Sequence, residues 1–527
     1  MSTLQSVFPL TSTLPAIFVP TAEGGKAAIT VTFKDLAAQI TSVRKFLATL
    51  GLPRGAAIAI ALPNTLEFAV LFFAVTFSGY IAAPLNPALK QSEFEFYLAD
   101  LECPIAFVPP TAERDAVIKA ASKVGKSGVK IFELESTGPA SVILKDGNGS
   151  PITVPASAGP LIDADPNDVA LVLHTSGTTG RPKIVPLTQT NLVISISNIV
   201  QTYKLTVTDR SMLVMPLFHV HGLLCGFLAP LSVSSSVIVP LRFSARTFWK
   251  DFVGLGANWY TAVPTIHQIL LKGPSPFDDG KGPNVRFIRS CSSALAKTTM
   301  EQLEKRFHAP VLEAYAMTEA SHQMTSNDLP PGQRKAGSVG HAQGVVQVAI
   351  LDADGKEVSR GQQGEISVRG GNVTKGYRSN PSANASSFTK EGFFRTGDQG
   401  IMDQDGYVFI TGRIKELINR GGEKIAPVEL DGIMLEHPAV SEAVAFAVPD
   451  ELYGQEVHAA IVLKPGAKAS EADLKQFLAS RVAKFKVPKK IYFTDIMPKT
   501  ATGKIQRKNV SEKFFVPEKS DAIKAKL

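Results

Sequence analysis

Cysteine is scarce in this chain of 527 residues, in which it occurs only at Cys103, Cys225 and Cys291. Three scattered cysteines exclude a disulfide framework and a zinc site built on cysteine, and they are typical of a reducing compartment. Long apolar runs are missing as well, since the stretch over residues 68–75 is far shorter than the roughly 20 apolar residues of a membrane-spanning helix. The N-terminus has no charged segment before its apolar residues and is not rich in arginine, so no secretory or transit leader is expected.

Positive charge is only in slight excess, because 55 basic and 47 acidic residues give a net charge of +8. This surplus suits anionic small molecules such as nucleotides, and no Lys or Arg block of the kind that binds nucleic acid is present. Hydrophobic residues make up 44% of the chain and charged residues 19%. Such a composition excludes wholesale disorder, collagen and coiled coil.

Strand-like and helix-like segments alternate along the chain, which is typical of parallel sheets covered by helices. Their spacing predicts a helix over residues 26–50 that ends at Gly51. The segment 136–168, rich in Gly, Pro, Ser and Asp, is predicted to be a loop or a joint. After Thr325 the short strands that end in Gly turns indicate an antiparallel, β-rich unit.

These patterns predict an α/β fold of two domains. The large N-terminal domain, residues 1–412, would hold the parallel α/β sheets and the β-rich subdomain. The smaller C-terminal domain, residues 413–527, would have an α+β fold.

The strongest local signal is the sequence Thr175-Ser-Gly-Thr-Thr-Gly-Arg-Pro-Lys183, which directly follows a strand-like segment. Its glycines let backbone N–H groups turn toward an anion, its hydroxyls add donors, and Lys183 adds a charge. The spacing is neither that of a Walker A loop nor GxGxxG. The alternative is a flexible loop, but the position between a strand and Pro-Lys favours phosphate binding by Thr175, Ser176, Gly177, Thr178, Thr179, Gly180 and Lys183.

Five further motifs follow the phosphate loop: Pro216-Leu-Phe-His-Val-His-Gly222, Tyr315-Ala-Met-Thr-Glu319, Phe394-Arg-Thr-Gly-Asp398, Gly412-Arg-Ile-Lys-Glu-Leu-Ile-Asn-Arg-Gly-Gly422 and Pro498-Lys-Thr-Ala-Thr-Gly-Lys504. In this order, and over nearly the whole chain, they resemble the adenylate-forming superfamily of acyl- and aryl-CoA synthetases, luciferases and peptide-synthetase adenylation domains. The resemblance implies an enzyme that converts an acid and ATP into an acyl adenylate.

The resemblance also implies roles at the nucleotide site. Thr318 would bind the α-phosphate, Glu319 would bind Mg²⁺, and Tyr315 with its neighbour Ala314 would lie against adenine. Outside this motif a Thr-Glu pair is more often an ordinary surface pair.

Three more residues match the superfamily near the domain joint. Asp398 would accept hydrogen bonds from the ribose hydroxyls, and Arg413 would be its partner across the joint. Lys504 would stabilise the charge that builds up during adenylation. The alternatives without a functional role are a polar turn at Asp398 and a solvated lysine at Lys504.

The small domain is expected to be mobile, since Lys415 falls where the superfamily has its hinge residue. One orientation would bring Lys504 to ATP, and the other would bring Gly421 and Gly422 to the site to form a tunnel for CoA. The two glycines could equally form a simple turn. Arg242 is interpreted either as a contact to a CoA phosphate or as a surface arginine.

The acid pocket departs from fatty- and aryl-acid members of the superfamily. Ser292 and Ser293 stand where those members have alanines, Ala316 replaces a glycine, and His322 follows the Thr-Glu pair. His221 stands where an aromatic residue is common, and His219 would shape the pocket. The pocket is therefore expected to be short and polar, which is costly unless the ligand satisfies it.

A small dicarboxylic acid would pair with such a lining. The segments around His221, Ser292, His322 and Gly421 resemble those of the peroxisomal-type oxalate–CoA ligases of fungi and plants. The resemblance implies an ATP-dependent oxalate–CoA ligase that uses Mg²⁺ and takes CoA as co-substrate. The alternatives are a ligase for malonate or another short acid, a carrier-loading adenylation domain, and a non-catalytic binding protein on the same fold.

The sequence ends in Ala525-Lys526-Leu527, which differs by one small residue from the peroxisomal address Ser-Lys-Leu. A location in the peroxisomal matrix, with the import receptor as partner, is expected. A cytoplasmic share is also expected, and the alternative for the tripeptide is a solvated tail. Neither a nucleic acid partner nor a membrane span is expected.

Overall fold

The computed structural model describes residues 2–21, 28–125, 128–155, 159–175, 182–278, 282–500 and 503–515. These residues form four sheets, two of them large and mainly parallel and two of them mainly antiparallel, with helices packed on them. The α/β fold class predicted from the sequence is thereby confirmed. No helix among the described residues is both long and apolar enough to cross a membrane.

The seven-stranded sheet is parallel at its centre and antiparallel at both edges. In spatial order its strands are Ser141–Asp146, Lys130–Gly138, Ile105–Phe107, Ala57–Ile60, Ile81–Pro84, Val169–Thr175 and Lys183–Thr188. The first two form a hairpin, so the expected loop over residues 136–168 is wrong in its first part. Gln39 Nε2 donates to the Gly138 carbonyl oxygen at 3.2 Å, and local composition does not reveal this long-range contact.

The nine-stranded sheet is also parallel at its centre with antiparallel edges. In spatial order its strands are His341–Ala342, His322–Ser326, Val311–Met317, Phe287–Ser290, Trp259–Ala262, Arg210–Met212, Ser236–Ile238, Pro15–Val19 and Ile29–Thr32. The last of these corrects the helix expected over residues 26–50, which begins at Phe33. The Thr32 hydroxyl and the Asp35 carboxylate form a capping box that fixes this start.

Helices cover the large sheets and supply much of the core. They are Leu4–Val7, Phe33–Thr49, Leu66–Phe77, Gln91–Asp100, Arg114–Ala121, Gln189–Tyr203, Ala229–Ser232, Phe248–Gly254, Pro264–Lys272, Lys297–Phe307 and Pro381–Ser387, with the π-helix His221–Leu228. Every residue of Leu66–Phe77 except Glu67 is buried, as expected for a helix that is apolar nearly all round. Its Phe73 ring packs against Phe8, Phe77 and Phe227, and each buried phenylalanine contributes about 1.5–3 kcal/mol.

The β-rich unit and the C-terminal part follow in chain order. The four-stranded antiparallel sheet consists of Gln347–Leu351, Gln363–Arg369, Phe394–Met402 and Val408–Arg413. The five-stranded sheet consists of Glu423–Ile425, Ile418–Arg420, Gly454–Leu463 and Val440–Asp450, with Lys490–Phe493 paired to Gly454–Leu463. Its helices are Pro427–Glu436, Glu471–Ala479 and Arg507–Phe514.

Candidate active site

Three neighbouring parallel strands end at one edge of the nine-stranded sheet and place polar side chains there. Trp259–Ala262 pairs with Phe287–Ser290, so that Thr261 lies beside Arg289. Phe287–Ser290 pairs in turn with Val311–Met317. In open α/β sheets ligands bind beyond the carboxyl ends of such strands. The edge is therefore the natural place for a site.

Glu319 lies in a 3₁₀ turn, Thr318–Ala320, directly after the strand that carries Tyr315. Its carboxylate is buried and accepts a hydrogen bond from the Tyr377 hydroxyl at 2.8 Å. Burial raises the pKa of Glu319, whereas the Tyr377 hydrogen bond and the charge of Lys183 oppose that shift. The Lys183 Nζ atom lies 4.5 Å from the centre of the Tyr377 ring.

The ends of the proposed phosphate loop are fixed by strand pairing. Thr175 and Lys183 are register partners in the antiparallel pair that closes the seven-stranded sheet. Thr175 Oγ1 lies 3.5 Å from Glu319 Oε1. Ser176, Gly177, Thr178, Thr179 and Gly180 lie outside the described residues, and their phosphate contacts stay a prediction.

Tyr315, Asp398 and Arg413 form one hydrogen-bonded group. The Tyr315 hydroxyl donates to Asp398 Oδ2, and Arg413 Nε donates to Asp398 Oδ1 at 2.8 Å. Asp398 and Arg413 are register partners on adjacent strands, which fixes their separation. Burial and Asp398 raise the pKa of Tyr315, so the phenol keeps its proton. Ala314 precedes Tyr315 and is buried.

Lys504 enters this region from the C-terminal part. The Lys504 amide donates to Thr500 Oγ1 at 3.1 Å and the Thr500 amide donates to the Lys504 carbonyl oxygen at 2.8 Å, which closes a tight loop. A Cβ atom on Gly503 would lie 2.9 Å from Thr265 Oγ1, so the loop runs against the large domain. The side chain of Lys504 keeps accessible surface, although protein atoms lie closely around it.

The electrostatic surroundings of Lys504 identify its neighbours. Burial among protein atoms lowers the pKa of Lys504, and Arg413 lowers it further. Asp398 opposes this shift. Burial lowers the pKa of His219 to about 4, with Lys504 as the second cause. Lys504 therefore lies within electrostatic reach of both the Asp398–Arg413 group and His219.

His221 and His322 form the centre of a buried polar cluster. Their rings are stacked with centroids 5.3 Å apart. His221 Nδ1 lies 3.1 Å from Ser292 Oγ, and His221 Nε2 lies 2.6 Å from Thr261 Oγ1. Both ring nitrogens of His322 are buried without a hydrogen-bond partner among the described residues. Burial lowers the pKa of both histidines well below the usual value, and Arg289 adds to the shift.

His219 lies at the edge of this cluster. Its Nδ1 atom accepts a hydrogen bond from the His221 backbone N–H at 3.3 Å, which leaves the proton of the neutral ring on Nε2. Ser292 has a positive φ of 74°, a conformation that non-glycine residues adopt rarely. That conformation accompanies the contact of its hydroxyl with His221.

Four of the residues singled out in the sequence are not brought into these groups. Ser293 is exposed, and its hydroxyl donates to the Ser292 carbonyl oxygen at 2.8 Å. Arg242 is exposed. Gly421 and Gly422, with φ of 60° and 97°, form an exposed two-residue hairpin turn between Arg420 and Glu423.

The hinge candidate lies between two sheets. Lys415 is the middle residue of the 3₁₀ segment Ile414–Glu416. That segment separates the four-stranded sheet, which ends at Arg413, from the first strand of the C-terminal sheet, which begins at Ile418. Rotation at Lys415 would therefore leave both sheets intact.

Sequence reasoning gave no role to three residues that the structure places in these groups. Tyr377 holds Glu319, Thr261 contacts His221, and Arg289 is fully buried beside both Thr261 and His221. Only Arg289 had a signal in the sequence, since it is a charged residue inside the otherwise apolar strand 287–290. The other two are ordinary in sequence and are recruited by long-range contacts.

Comparison with known proteins agrees with the family resemblance that the sequence motifs indicate. Family models described as "AMP-binding enzyme" and "AMP-binding enzyme C-terminal domain" match residues 15–378 and 429–504. The chain is 49% identical to an oxalate–CoA ligase of Saccharomyces cerevisiae, over 94% of each chain. It is 48% identical to an oxalate–CoA ligase of Arabidopsis thaliana, over 89% of this chain and 91% of that one.

A solved structure resembles the whole chain. It is ATP-bound MatB from Rhodopseudomonas palustris, which is 30% identical and superposes with a TM-score of 0.84 over 97% of this chain and 99% of that one. The likeness therefore extends over both the large sheets and the C-terminal part.

Proposed function

Because the chain belongs to the family of AMP-binding enzymes, we propose that its strand-end site activates oxalate with ATP and transfers it to CoA. One carboxylate of the acid attacks the α-phosphorus of ATP, and pyrophosphate leaves. The thiol of CoA then attacks the activated carbonyl carbon, loses its proton and displaces AMP. The products are oxalyl-CoA, AMP and pyrophosphate. The two relatives named oxalate–CoA ligases, identical at nearly half of the aligned positions, support this reaction.

The single observation that carries the choice of acid is the state of His322. Its two ring nitrogens are buried without a partner among the described residues, next to the His221–Ser292 pair. A buried polar group without a partner costs about 1–3 kcal/mol. A second carboxylate would accept hydrogen bonds from the N–H of His322 and from the hydroxyl of Ser292, which His221 contacts. An alkyl or aryl tail would leave these donors unpaired.

The nucleotide would bind along the groups described above. Asp398 and Arg413 would hold the ribose, Tyr315 and Ala314 would face adenine, and Thr318 would contact the α-phosphate. The ATP-bound relative supports this use of the site.

Magnesium fits the same site, because the buried carboxylate of Glu319 offers the hard oxygen ligand that Mg²⁺ prefers. Glu319, with the Thr175 hydroxyl at 3.5 Å, would hold the ion. Bound there, the ion would neutralise phosphate charge. Lys183, which lies over the Tyr377 ring beside Glu319, would add to that neutralisation.

The experiment that tests this function is acid-dependent ATP–pyrophosphate exchange over oxalate, malonate, acetate, medium-chain fatty acids and cinnamates. Oxalate is expected to give the highest rate, and CoA is expected to release AMP from the oxalyl adenylate. A higher rate with malonate would assign the site to another short acid. Absence of exchange with every acid would leave a binding protein on the same fold.

The second half of the reaction requires the small domain to move. We propose that the chain divides at residues 412 and 413, that it rotates at Lys415, and that Gly421 and Gly422 then line the path of CoA. Two glycines with positive φ at an exposed turn allow the backbone to approach a ligand closely. Exposed Arg242 would contact a phosphate of CoA.

We propose that the enzyme works in the peroxisomal matrix. The supporting feature is Ala525-Lys526-Leu527, which lies outside the described residues and resembles the peroxisomal address. A fluorescent protein fused to the N-terminus is expected to collect in peroxisomes, and the same fusion without residues 525–527 is expected to stay in the cytosol. Identical distributions of the two fusions would remove the import receptor as a partner.

A further inference from the structure

Arg289 is a fully buried arginine whose hydrogen-bond partners are all neutral. Its Nε donates to the Tyr203 hydroxyl at 2.6 Å, its Nη1 to Thr261 Oγ1 at 3.2 Å, and its Nη2 to Gln323 Oε1 at 3.2 Å. Among the ion pairs of the described residues, none involves Arg289. Removing a guanidinium from water without a counter-charge is costly. An anion that binds close to Arg289 would offset that cost.

The groups around Arg289 do not supply that anion. The titratable side chains that face it or its histidine neighbours are those of Tyr203, His219, His221, Cys225, His267, Cys291 and His322. Burial lowers the pKa of His267 to about 3, and it raises the pKa of Cys225 to about 11 and that of Tyr203 to about 12. These histidines, the thiol and the phenol are neutral at neutral pH, whereas Arg289 stays charged.

Arg289 also sets the direction of a chain of hydrogen bonds. A guanidinium can only donate, so Thr261 Oγ1 accepts from Arg289 and turns its own hydrogen toward His221 Nε2, 2.6 Å away. Arg289 Nη1 also faces this nitrogen at 3.4 Å. His221 then carries its proton on Nδ1 and donates to Ser292 Oγ at 3.1 Å. The Ser292 hydroxyl is left free to donate to a ligand.

We propose that Arg289 is the positioning residue that selects a dianionic acid. Its positive charge is compensated by the second carboxylate of the acid. Its hydrogen bonds orient Thr261, His221 and Ser292 as donors. The inference rests on the function proposed above. Oxalate brings one negative charge more than acetate, and Arg289 is the cation proposed to compensate that extra charge. A monoacid leaves Arg289 without a counter-ion.

The test compares the full-length wild type with Arg289→Met and Arg289→Lys, using the KM for oxalate and for ATP between about pH 6 and pH 8. Arg289→Met is expected to raise the oxalate KM about 30-fold or more and to leave the ATP KM within about twofold, since Tyr315, Asp398 and Arg413 are untouched. Arg289→Lys keeps the charge but not the planar fork, and an intermediate oxalate KM is expected.

The pH profile distinguishes charge from mere structure. In the wild type the ratio of the oxalate KM to the ATP KM is expected not to change with pH, because His221 and His322 stay neutral. In Arg289→Met burial still lowers the pKa of His221 and His322, but the further lowering by Arg289 is gone. The uncompensated charge of bound oxalate is then expected to draw a proton, so that the oxalate KM falls as the pH falls. Arg289→Lys is expected to stay flat. An unchanged oxalate KM, or equal increases of both KM values with a flat profile, would overturn the proposal.

A second pair of variants covers the case in which Arg289→Met does not fold. Thr261→Val interrupts the hydrogen-bond chain, and Thr261→Ser keeps it. Only Thr261→Val is expected to raise the oxalate KM, and equal values for both variants would overturn the proposed orientation of His221. A wild type without oxalate activity would instead refute the proposed function, so the two failures are distinguishable.

Discussion

Histidine acts in this pocket as a neutral hydrogen-bonding group, because burial removes the water that would stabilise the imidazolium ion. The pKa of His219, His221 and His322 is lowered in each case with burial as the first cause. Protonation of these rings is therefore not available to bind the acid at neutral pH. Selectivity for the acid therefore has to come from neutral hydrogen-bond donors arranged around the permanent charge of Arg289.

His322→Ala tests that arrangement at the histidine whose two ring nitrogens have no hydrogen-bond partner among the described residues. In this variant oxalate loses a charge-assisted hydrogen bond to its second carboxylate. A loss of about 1.5–3 kcal/mol of transition-state stabilisation is expected, which lowers the kcat/KM for oxalate roughly 10–150-fold. Acetate never makes this bond, and its activity is expected to stay level or rise. The measurement is the ratio of the two kcat/KM values. Equal losses for both acids would mean that His322 supports Glu319 instead.

Ser293→Ala is the matched control for that variant. The sequence predicts Ser293 to be part of the polar lining that pairs with a small dicarboxylic acid. In the structure its hydroxyl is exposed and bonded to the Ser292 carbonyl oxygen. Wild-type oxalate activity is therefore expected for Ser293→Ala, and a loss as large as that of His322→Ala would restore Ser293 to the pocket.

Tyr377→Phe tests the group that holds Glu319. The hydrogen bond from Tyr377 stabilises the ionised carboxylate and thus lowers the pKa of Glu319 against the effect of burial. Without that bond the pKa of Glu319 rises further, so a larger share of Glu319 is protonated in mildly acidic solution. We expect the kcat/KM for ATP to fall roughly tenfold more near pH 6 than near pH 8.

Tyr407→Phe is the control for this pH profile. Its hydroxyl donates to the Gln333 carbonyl oxygen at 2.8 Å, outside the groups around Glu319. The profile of this variant is expected to follow that of the wild type. Parallel profiles for Tyr377→Phe and Tyr407→Phe would remove Tyr377 from the magnesium site.

At the residue scale the sequence singled out candidate residues of the site more readily than the contacts between their side chains. The motifs located Glu319, Asp398, Arg413 and Lys504, because these residue types occur at motif spacing. Tyr377 was not found, since it lies 58 positions from Glu319 and nothing near it in sequence marks the contact. Side-chain partners of this kind are set by how distant strands pack.

At the scale of elements, the site depends on a short helix with unusual geometry. The π-helix His221–Leu228 begins at the histidine that contacts Ser292 and Thr261. A π-helix is rare and is often found at functional sites. Gly222 makes this start possible, because a Cβ atom there would lie 2.3 Å from the Pro216 carbonyl oxygen and 2.6 Å from that of Met215.

Gly222→Ala is therefore expected to displace the start of the π-helix together with His221. Both close atoms belong to the backbone and cannot rotate away, so a loss of at least about 1–3 kcal/mol of unfolding free energy is expected. Oxalate activity is expected to fall with it. Thermal unfolding followed by circular dichroism, together with pyrophosphate release, measures the two effects.

Gly432→Ala provides the opposite case within a regular helix. Gly432 lies in Pro427–Glu436, where an added Cβ atom has nothing within 4 Å. Alanine is the better helix former, so about 0.5–1 kcal/mol of added stability is expected. A destabilised Gly432→Ala together with a stable Gly222→Ala would contradict the inference that a Cβ atom has room at position 432 and clashes at position 222.

Element boundaries show where local pattern stops being informative. Hydrophobic spacing identified the helix that ends at Thr49 but extended it over residues 29–32, which pair with Pro15–Val19. The hairpin Lys130–Gly138 with Ser141–Asp146 was missed because its Gly, Ser and Pro content resembles that of a loop. In both cases a partner strand distant in sequence decides the outcome, and propensity is overridden.

At the scale of the whole molecule, contacts beyond the hinge hold the C-terminal part against the large domain. Lys272 Nζ donates to Ser441 Oγ at 3.0 Å, and Gly503 lies against Thr265. Both contacts occur in the orientation that brings Lys504 near Asp398 and His219. Relative motion of domains is the default expectation unless their interface is large and hydrophobic. The first half-reaction is proposed to use this orientation.

Lys504→Ala separates the two half-reactions. During adenylation, negative charge builds up on the acid and on the α-phosphate, and losing one cation aimed at such charge costs about 10²–10³ in rate. When pre-formed oxalyl adenylate is supplied with CoA, the other orientation is used and Lys504 has left the site, so thioester formation is expected to stay near the wild-type rate. Lys508→Ala is the control, because Lys508 is exposed in the helix that follows the same loop. Rapid-quench measurement of pyrophosphate and thioester gives both rates, and equal losses in the two steps would show that the domains do not alternate.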